Sequence, residues 1–464
     1  MIEIFDIASI IILTCLAASW WAVSPVENRW IKVWGGLVLI AAVVFMVRIS
    51  AGALAGMDMT ATAMMIWLAI ILGRHLLVNH SWPQGIFIVA VSLVTAVGIY
   101  LRADRFDQIL HDSDRQLQPD VRYYQQQALK TSNPCAAGLK SPLWSAMHAS
   151  LLCNFADRDL AMRILSWSFG VLVIPITTFA IGRLFEPIVG VIVGGTLAVD
   201  PWLIDLCCEG LREEFGLCLW MVVVLLLFGV QRVSWRRVLA AGLTGGALLL
   251  LRNLAIVPLA LLLVWAITTR GWSIKQAVVG ILLPIVIVSP FYINQWRVYG
   301  DPFAMEKRDA RYHANLEFNM ETAPPGLSMP TVEEKKRDLY AGEPISPVAY
   351  LLCHRSLTDF LSKQWEGLSR IVLGEPFHFQ ASRWFRLICA VGLIATLLVK
   401  EQRFVILFFL ASVLGIRAHL LAVNQLEQRL LLPVMVVWLT AGWWLLASAA
   451  RWGGRRWILS RDQK

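Results

Sequence analysis

Charge is what this chain has least of. Only 16% of its 464 residues are Asp, Glu, Lys or Arg, and 58% are hydrophobic. Soluble domains carry about 25% charged residues. So little charge cannot cover a water-facing surface, which excludes an ordinary soluble domain. Catalytic signatures are scarce too. There is no Walker A Gly-Lys-Ser/Thr, no His-Glu-x-x-His and no Gly-x-Ser-x-Gly, so nucleotide hydrolysis and zincin chemistry have no support. The first residues hold Glu3 and Asp6 but no Lys or Arg. The basic region of a cleavable signal is therefore missing. The eight Cys show no metal-ligand spacing. Cys15, Cys218 and Cys389 lie in apolar runs, where Cys behaves as a small hydrophobe, and Cys207 and Cys208 are adjacent. Cys135 and Cys153 share one polar region and would pair only in an oxidising compartment.

Long apolar runs are plentiful. They lie near 5–23, 31–48, 59–78, 85–101, 163–182, 187–200, 212–230, 237–251, 253–269, 276–296, 384–399, 404–422 and 429–449. Lipid tolerates only helices or closed barrels, and these runs are too long for barrel strands. The expected fold is an all-α polytopic membrane protein of about thirteen transmembrane helices with two larger outer-face loop regions. The 21 Trp fit interface anchors. Net charge is +9, which positive-inside topology explains better than nucleic-acid binding. Alternating loops carry Arg29 and Lys32, Arg74, Arg183, Arg232, Arg236 and Arg237, Arg270 and Lys275, and Lys400 and Arg403. With the basic tail, they predict an outside N-terminus and an inside C-terminus. The sequence then divides into N-terminal helices (1–84), a transmembrane core with an acidic outer loop at 102–162 (85–296), an outer loop with an interfacial helix (297–383), and C-terminal helices with a basic tail (384–464).

The most informative polar stretch runs from His111 to Tyr124 and holds Asp112, Asp114 and Asp120. A carboxylate at a bilayer surface can serve as a general base. It can also help hold a divalent metal, or cap a helix after Pro119. Lys140 precedes Ser141, Pro142 and Trp144. It can bind a phosphate as a point charge or snorkel at a helix end. Glu209, Arg212 and Glu213 cluster after Pro201, either as a substrate contact or as a surface ion-pair group. Arg252 and Asn253 interrupt a long apolar stretch, and Glu427 and Arg429 sit before the last run. Arg429 breaks the positive-inside trend, and such exceptions mark function more often than decoration. Lys140, Arg252 and Arg429 are expected to converge with Asp120 on one cavity. No cofactor is required by these motifs; a divalent metal remains an open alternative.

In order along the chain, these pieces resemble the GT-C superfamily of membrane glycosyltransferases. The nearest group is that of dolichyl-phosphate-mannose protein mannosyltransferases and aminoarabinose transferases. Asp120 with Tyr123, Tyr124 and Ala128 is similar to the family's acid-and-Tyr motif. Lys140-Ser-Pro-Leu-Trp144 is similar to its basic Pro-Leu turn, and Arg163 to the Arg opening its next helix. The run Gly242 to Arg252, the connection Asn294 to Phe303, and Glu427, Arg429 and Pro433 complete the series. There are departures. Val121 stands where many members have a second acid, a role Asp112 or Asp114 would have to fill. The first three helices have no family counterpart. The resemblance implies a GT-C-like bundle that transfers a sugar from a polyprenyl-phosphate donor to a glycan, lipid or protein at the non-cytoplasmic face. A bacterial inner membrane is expected, because 102–162 and 297–383 lack Asn-x-Ser/Thr. In this reading Asp120 orients or deprotonates the acceptor. Lys140, Arg252 and Arg429 neutralise phosphate, and Tyr123, Tyr124, Glu209, Arg212, Glu213 and Glu427 contact substrate. Two other classes stay open. A polysaccharide polymerase or ligase would lean on Arg and His clusters, and a lipid or solute transporter would show pseudo-symmetric halves.

Overall fold

The computed structural model describes residues 82–112, 117–230, 233–377, 383–414, 416–423 and 428–461. The three N-terminal apolar runs lie outside them. Among the described residues all regular structure is helical. The helices are α1 (Trp82–His111), α2 (Pro119–Lys130), α3 (Pro142–Leu152), α4 (Arg158–Leu184), α5 (Pro187–Val199), α6 (Pro201–Cys207), α7 (Glu213–Phe228), α8 (Trp235–Leu251), α9 (Ile256–Thr269) and α10 (Ile274–Tyr299). Then come α11 (Ala304–Glu317), α12 (Val332–Arg337), α13 (Leu357–Val372), α14 (Arg383–Ala395), α15 (Arg403–Val413), α16 (Ile416–Ala422) and α17 (Leu432–Arg461).

A bundle of about thirteen spans is not what forms. Among the described residues four helices are long and apolar enough to cross a membrane: Phe87–His111, Arg158–Leu184, Ile274–Tyr299 and Arg429–Ala449. A fifth candidate is the pair Pro187–Val199 and Pro201–Cys207, bent by 66° into a broken span or re-entrant loop. Most of the other apolar runs form helices too short to count as spans, and several end where the sequence reading ended them. Asp200 caps α6 by accepting from the Leu203 amide at 3.0 Å, and Pro201 opens that helix. Arg252 leaves helical geometry at φ −148°, which separates α8 from α9. The run expected at 404–422 breaks between α15 and α16. Helix α7 has 16 residues, about 24 Å of rise, short of a hydrocarbon core of about 30 Å. It is buried on nearly every side. The expected acidic loop at 102–162 is likewise mostly helix, formed by the end of α1, by α2 and α3, and by the start of α4.

Aromatic rings fill the centre. Phe169 stacks on Phe215 at 4.0 Å, Trp220 meets Phe408 at 4.9 Å, and Phe228 stacks on Phe404 at 4.5 Å. Arg102, fully buried within α1, donates to the carbonyls of Ala198 and Leu197 at 3.0 and 2.9 Å. Those carbonyls end α5, where a helix dipole favours a cation, so this charge has a structural use. Helix α8 packs along α10, with Gly242 and Gly246 set against Leu283 and Ile287.

Candidate functional site

Pro119 at the start of α2 fixes the helical entry, and Val121, Tyr124, Gln127 and Ala128 form its buried face. The backbone cap is Gln118, so Asp120 lies inside the first turn and does not cap. Its carboxylate accepts from Arg429, which immediately precedes α17. Two hydrogen bonds tie α2 to the chain entering α3. Gln127 donates to the Gly138 carbonyl at 3.1 Å, and Ser145 donates to Gln127 at 3.1 Å. Ser141 in turn donates to the Leu251 carbonyl at 2.9 Å. The Lys140 turn is thereby pinned against the end of α8, where Arg252 stands.

The turn between α6 and α7 completes the group. Gly210 sits at φ +86°, and an added Cβ would lie 2.8 Å from Val121 Cγ1. That close approach brings Arg212 over the Tyr124 ring at 5.3 Å. Glu213 and Arg252 form an ion pair at 2.8 Å with side chains 3% and 5% exposed. Five elements distant in sequence therefore deliver Asp120, Lys140, Arg212, Glu213, Arg252 and Arg429 to one region.

Its electrostatics favour an anion. Burial would raise the Asp120 carboxyl, but Lys140, Arg429 and Arg212 together hold it below its ordinary value. Burial would lower Lys140, but Asp309, Tyr124, Tyr340 and Asp120 raise it above the usual range. Tyr123 and Tyr124 are both raised, chiefly by burial. Arg212 Nε and Nη1 and Arg252 Nε are buried and find no acceptor among the described residues. Buried guanidinium donors without acceptors are costly, and a bound phosphate or carboxylate would satisfy them.

One wall was not expected from the sequence. Helix α11 carries Glu306 and Asp309 into a cleft shared with Lys140, Asn253 and Tyr292. Asn253 and Tyr292 donate to Glu306 at 3.1 and 3.0 Å, and Glu306 Oε2 is buried without a partner among the described residues. Burial raises Glu306 and Asp309. His313 is lowered to about 4 by burial and by Lys140. The helix is anchored at its middle and at its C-terminal end. Arg311 donates to the Ser328 carbonyl at 2.9 Å. Glu317 accepts from Tyr350 at 2.8 Å, contacts His419 at 3.2 Å and pairs with Arg355. The i, i+4 spacing of Asp309, His313 and Glu317 was the signal available in the sequence. It lay inside a stretch read as an irregular loop.

The remaining candidates are placed apart or not described. Asp112 is exposed just beyond α1, and Glu209 is half-buried in the turn after α6. Asp114 and Glu427 lie outside the described residues. Cys135 and Cys153 are both free. No group of three metal-ligating side chains occurs among the described residues. Compared with known proteins, the chain matches no family model, and no curated protein matches it. The resemblance to the GT-C superfamily is therefore corrected, and glycosyl transfer from a lipid-phosphate donor loses the family as its support. Each of its motifs rests on only a few matched residues, and matches that sparse recur by chance in a long apolar chain. The four or five crossing helices also depart from the expected bundle. What stands is a membrane-associated helical protein.

Proposed function

We propose that this protein is a membrane enzyme that moves a glycosyl group from a phosphate-linked lipid donor to an acceptor hydroxyl or amine. One observation carries the reading: Asp120 is held by Arg429 beside Lys140 and Arg212, where buried guanidinium donors are left without acceptors. Lys140, Arg212 and Arg252 take the phosphate as it leaves, because preorganised cations act where negative charge develops. Asp120 keeps this cationic group in register and orients the acceptor. Exposed Leu254 in the turn after Arg252, and Ile256, Val257 and Leu261 on α9, continue from Arg252, which suits a donor with an apolar tail. The site faces the non-cytoplasmic side, following the loop-charge alternation.

Lipid and glycan profiling of cells lacking the gene tests this. Loss of one glycan with build-up of its lipid-phosphate donor supports the reading, and unchanged profiles overturn it. Restoring the gene with Asp120→Asn should leave the defect in place.

A further inference from the structure

We propose that Asp309 is the carboxylate that takes the acceptor's proton at this site, while Asp120 is a positioning residue. The inference rests on the transfer reading above. The two acids flank Lys140 but are bound differently. Asp120 is occupied by Arg429, and a carboxylate locked to a guanidinium is a weak proton acceptor. Asp309 lines the cleft with Lys140 and Glu306 and has neither ion pair nor hydrogen bond among the described residues.

The groups that face Asp309 come from several elements. Lys140, Arg212 and Asp120 act on it from outside its helix, and Arg308 from within it. Tyr123, Tyr340 and Glu306 feel it in turn. Burial raises it, Lys140 and Arg212 lower it, Asp120 raises it again, and the net displacement is upward. Asp120 is displaced downward. Two neighbouring acids driven apart in this way divide into a proton carrier and a fixed charge.

The step balances. The acceptor oxygen or nitrogen forms a bond to the anomeric carbon as its proton passes to the Asp309 carboxylate. The bond from that carbon to the phosphate oxygen breaks, and its electron pair leaves on the phosphate. Lys140 is common to both halves, since it faces Asp309 and stands in the cationic group. Asp309 must be ionised at the start, so turnover rises with pH as it deprotonates. That rise lies above the ordinary carboxylate range near 3.9.

The test uses the full-length protein in membranes, with the lipid extract of cells lacking the gene as donor. Asp309→Asn is near-isosteric and should keep the wild-type melting temperature and retention of the extract. Its turnover should fall about 10²- to 10⁴-fold, in kcat rather than KM, and the acidic limb of the pH profile should vanish. A hydrophobic carbodiimide, which reacts with protonated carboxyls, should label Asp309 in preference to Asp120 as the pH is lowered. Unlabelled Asp309, or Asp309→Asn turnover within threefold of wild type, overturns the assignment of Asp309 alone. Unchanged glycans and lipids in cells lacking the gene overturn the transfer reading and this step with it, whatever the labelling shows.

Discussion

Arg429 and Asp120, 309 positions apart in the chain, form an ion pair. The pair joins the entrance of the last long helix to the first turn of α2. Its stability contribution depends on pH. The Asp120 carboxyl is lowered in the folded protein, so its contribution is complete above the unfolded value near 3.9 and lost as pH falls through the folded value. The side chains are 14% and 36% exposed, so solvent screens part of the effect. Wild-type protein should lose more melting temperature between pH 6 and pH 3 than Asp120→Asn does. An equal loss in both would show that the pair adds nothing.

Glu213 and Arg252 are a stronger case, because both are nearly closed off from water. Removing one partner of a buried pair strands the other and costs about 3–5 kcal/mol, while replacing both by apolar residues is often neutral. Arg252→Met and Glu213→Gln should each be strongly destabilising, and Arg252→Met with Glu213→Leu should recover much of the loss. Denaturation midpoints of the three variants decide it; strictly additive losses would mean the two groups act separately.

Gly210 controls whether α2 can approach Arg212. Alanine there faces a left-handed φ and a 2.8 Å contact with Val121. Gly326 also has positive φ, at +80°, with open space around its Cβ position. Gly326→Ala should therefore lose only the backbone term of about 1 kcal/mol. Gly210→Ala should lose that and about 1–3 kcal/mol of packing strain, and should abolish transfer. Equal melting temperatures for the two variants would remove Gly210 from the site's framework.

Among the described residues the four long apolar helices were legible because their apolar runs are long enough to continue past the breaks within them, Pro175 in α4 and Pro284 and Pro290 in α10. The shorter runs misled in what they were taken for. Their ends at Asp200-Pro201 and Arg252-Asn253 fall where α5 and α8 end, but pieces of 13 and 17 residues were read as spans although they are too short to pass as one. Candidate residues were visible as charges in apolar surroundings. Their partners were not, since Asp120 meets Arg429 only through tertiary contacts of α2 and α17. Asp309 was missed because its helix reads as polar on most sides. Its one informative face appears only when Lys140 is seen opposite.

Orientation is the next prediction. On the loop charges, we expect the α11–α13 region on the non-cytoplasmic side and the C-terminus inside. A reporter active only outside the cytoplasm should work when inserted near residue 320, between α11 and α12, and stay silent at the C-terminus. The reverse pattern would put the proposed site on the wrong face for its donor.

Helix α13 should lie on the membrane surface. Leu357, Leu361 and Trp365 are 72%, 55% and 71% exposed and share one stripe at i, i+4, i+8, while Gln364, Gly367 and Ile371 form the buried face. Gly367 is required there, since an added Cβ would strike the Ala418 carbonyl oxygen. Helix α13 is thus clamped to α16 on one side and presents apolar residues on the other. In water that stripe would lose the benefit of burial, about 1.5–3 kcal/mol per large side chain; a lipid interface restores it. In membranes, with native Cys replaced, cysteine at Leu361 should resist a membrane-impermeant maleimide and cysteine at Ser362 should react. After transfer to a detergent with a small head group both should react. Equal labelling of the two positions in intact membranes would mean that the stripe faces water and that α13 has no place at the lipid surface.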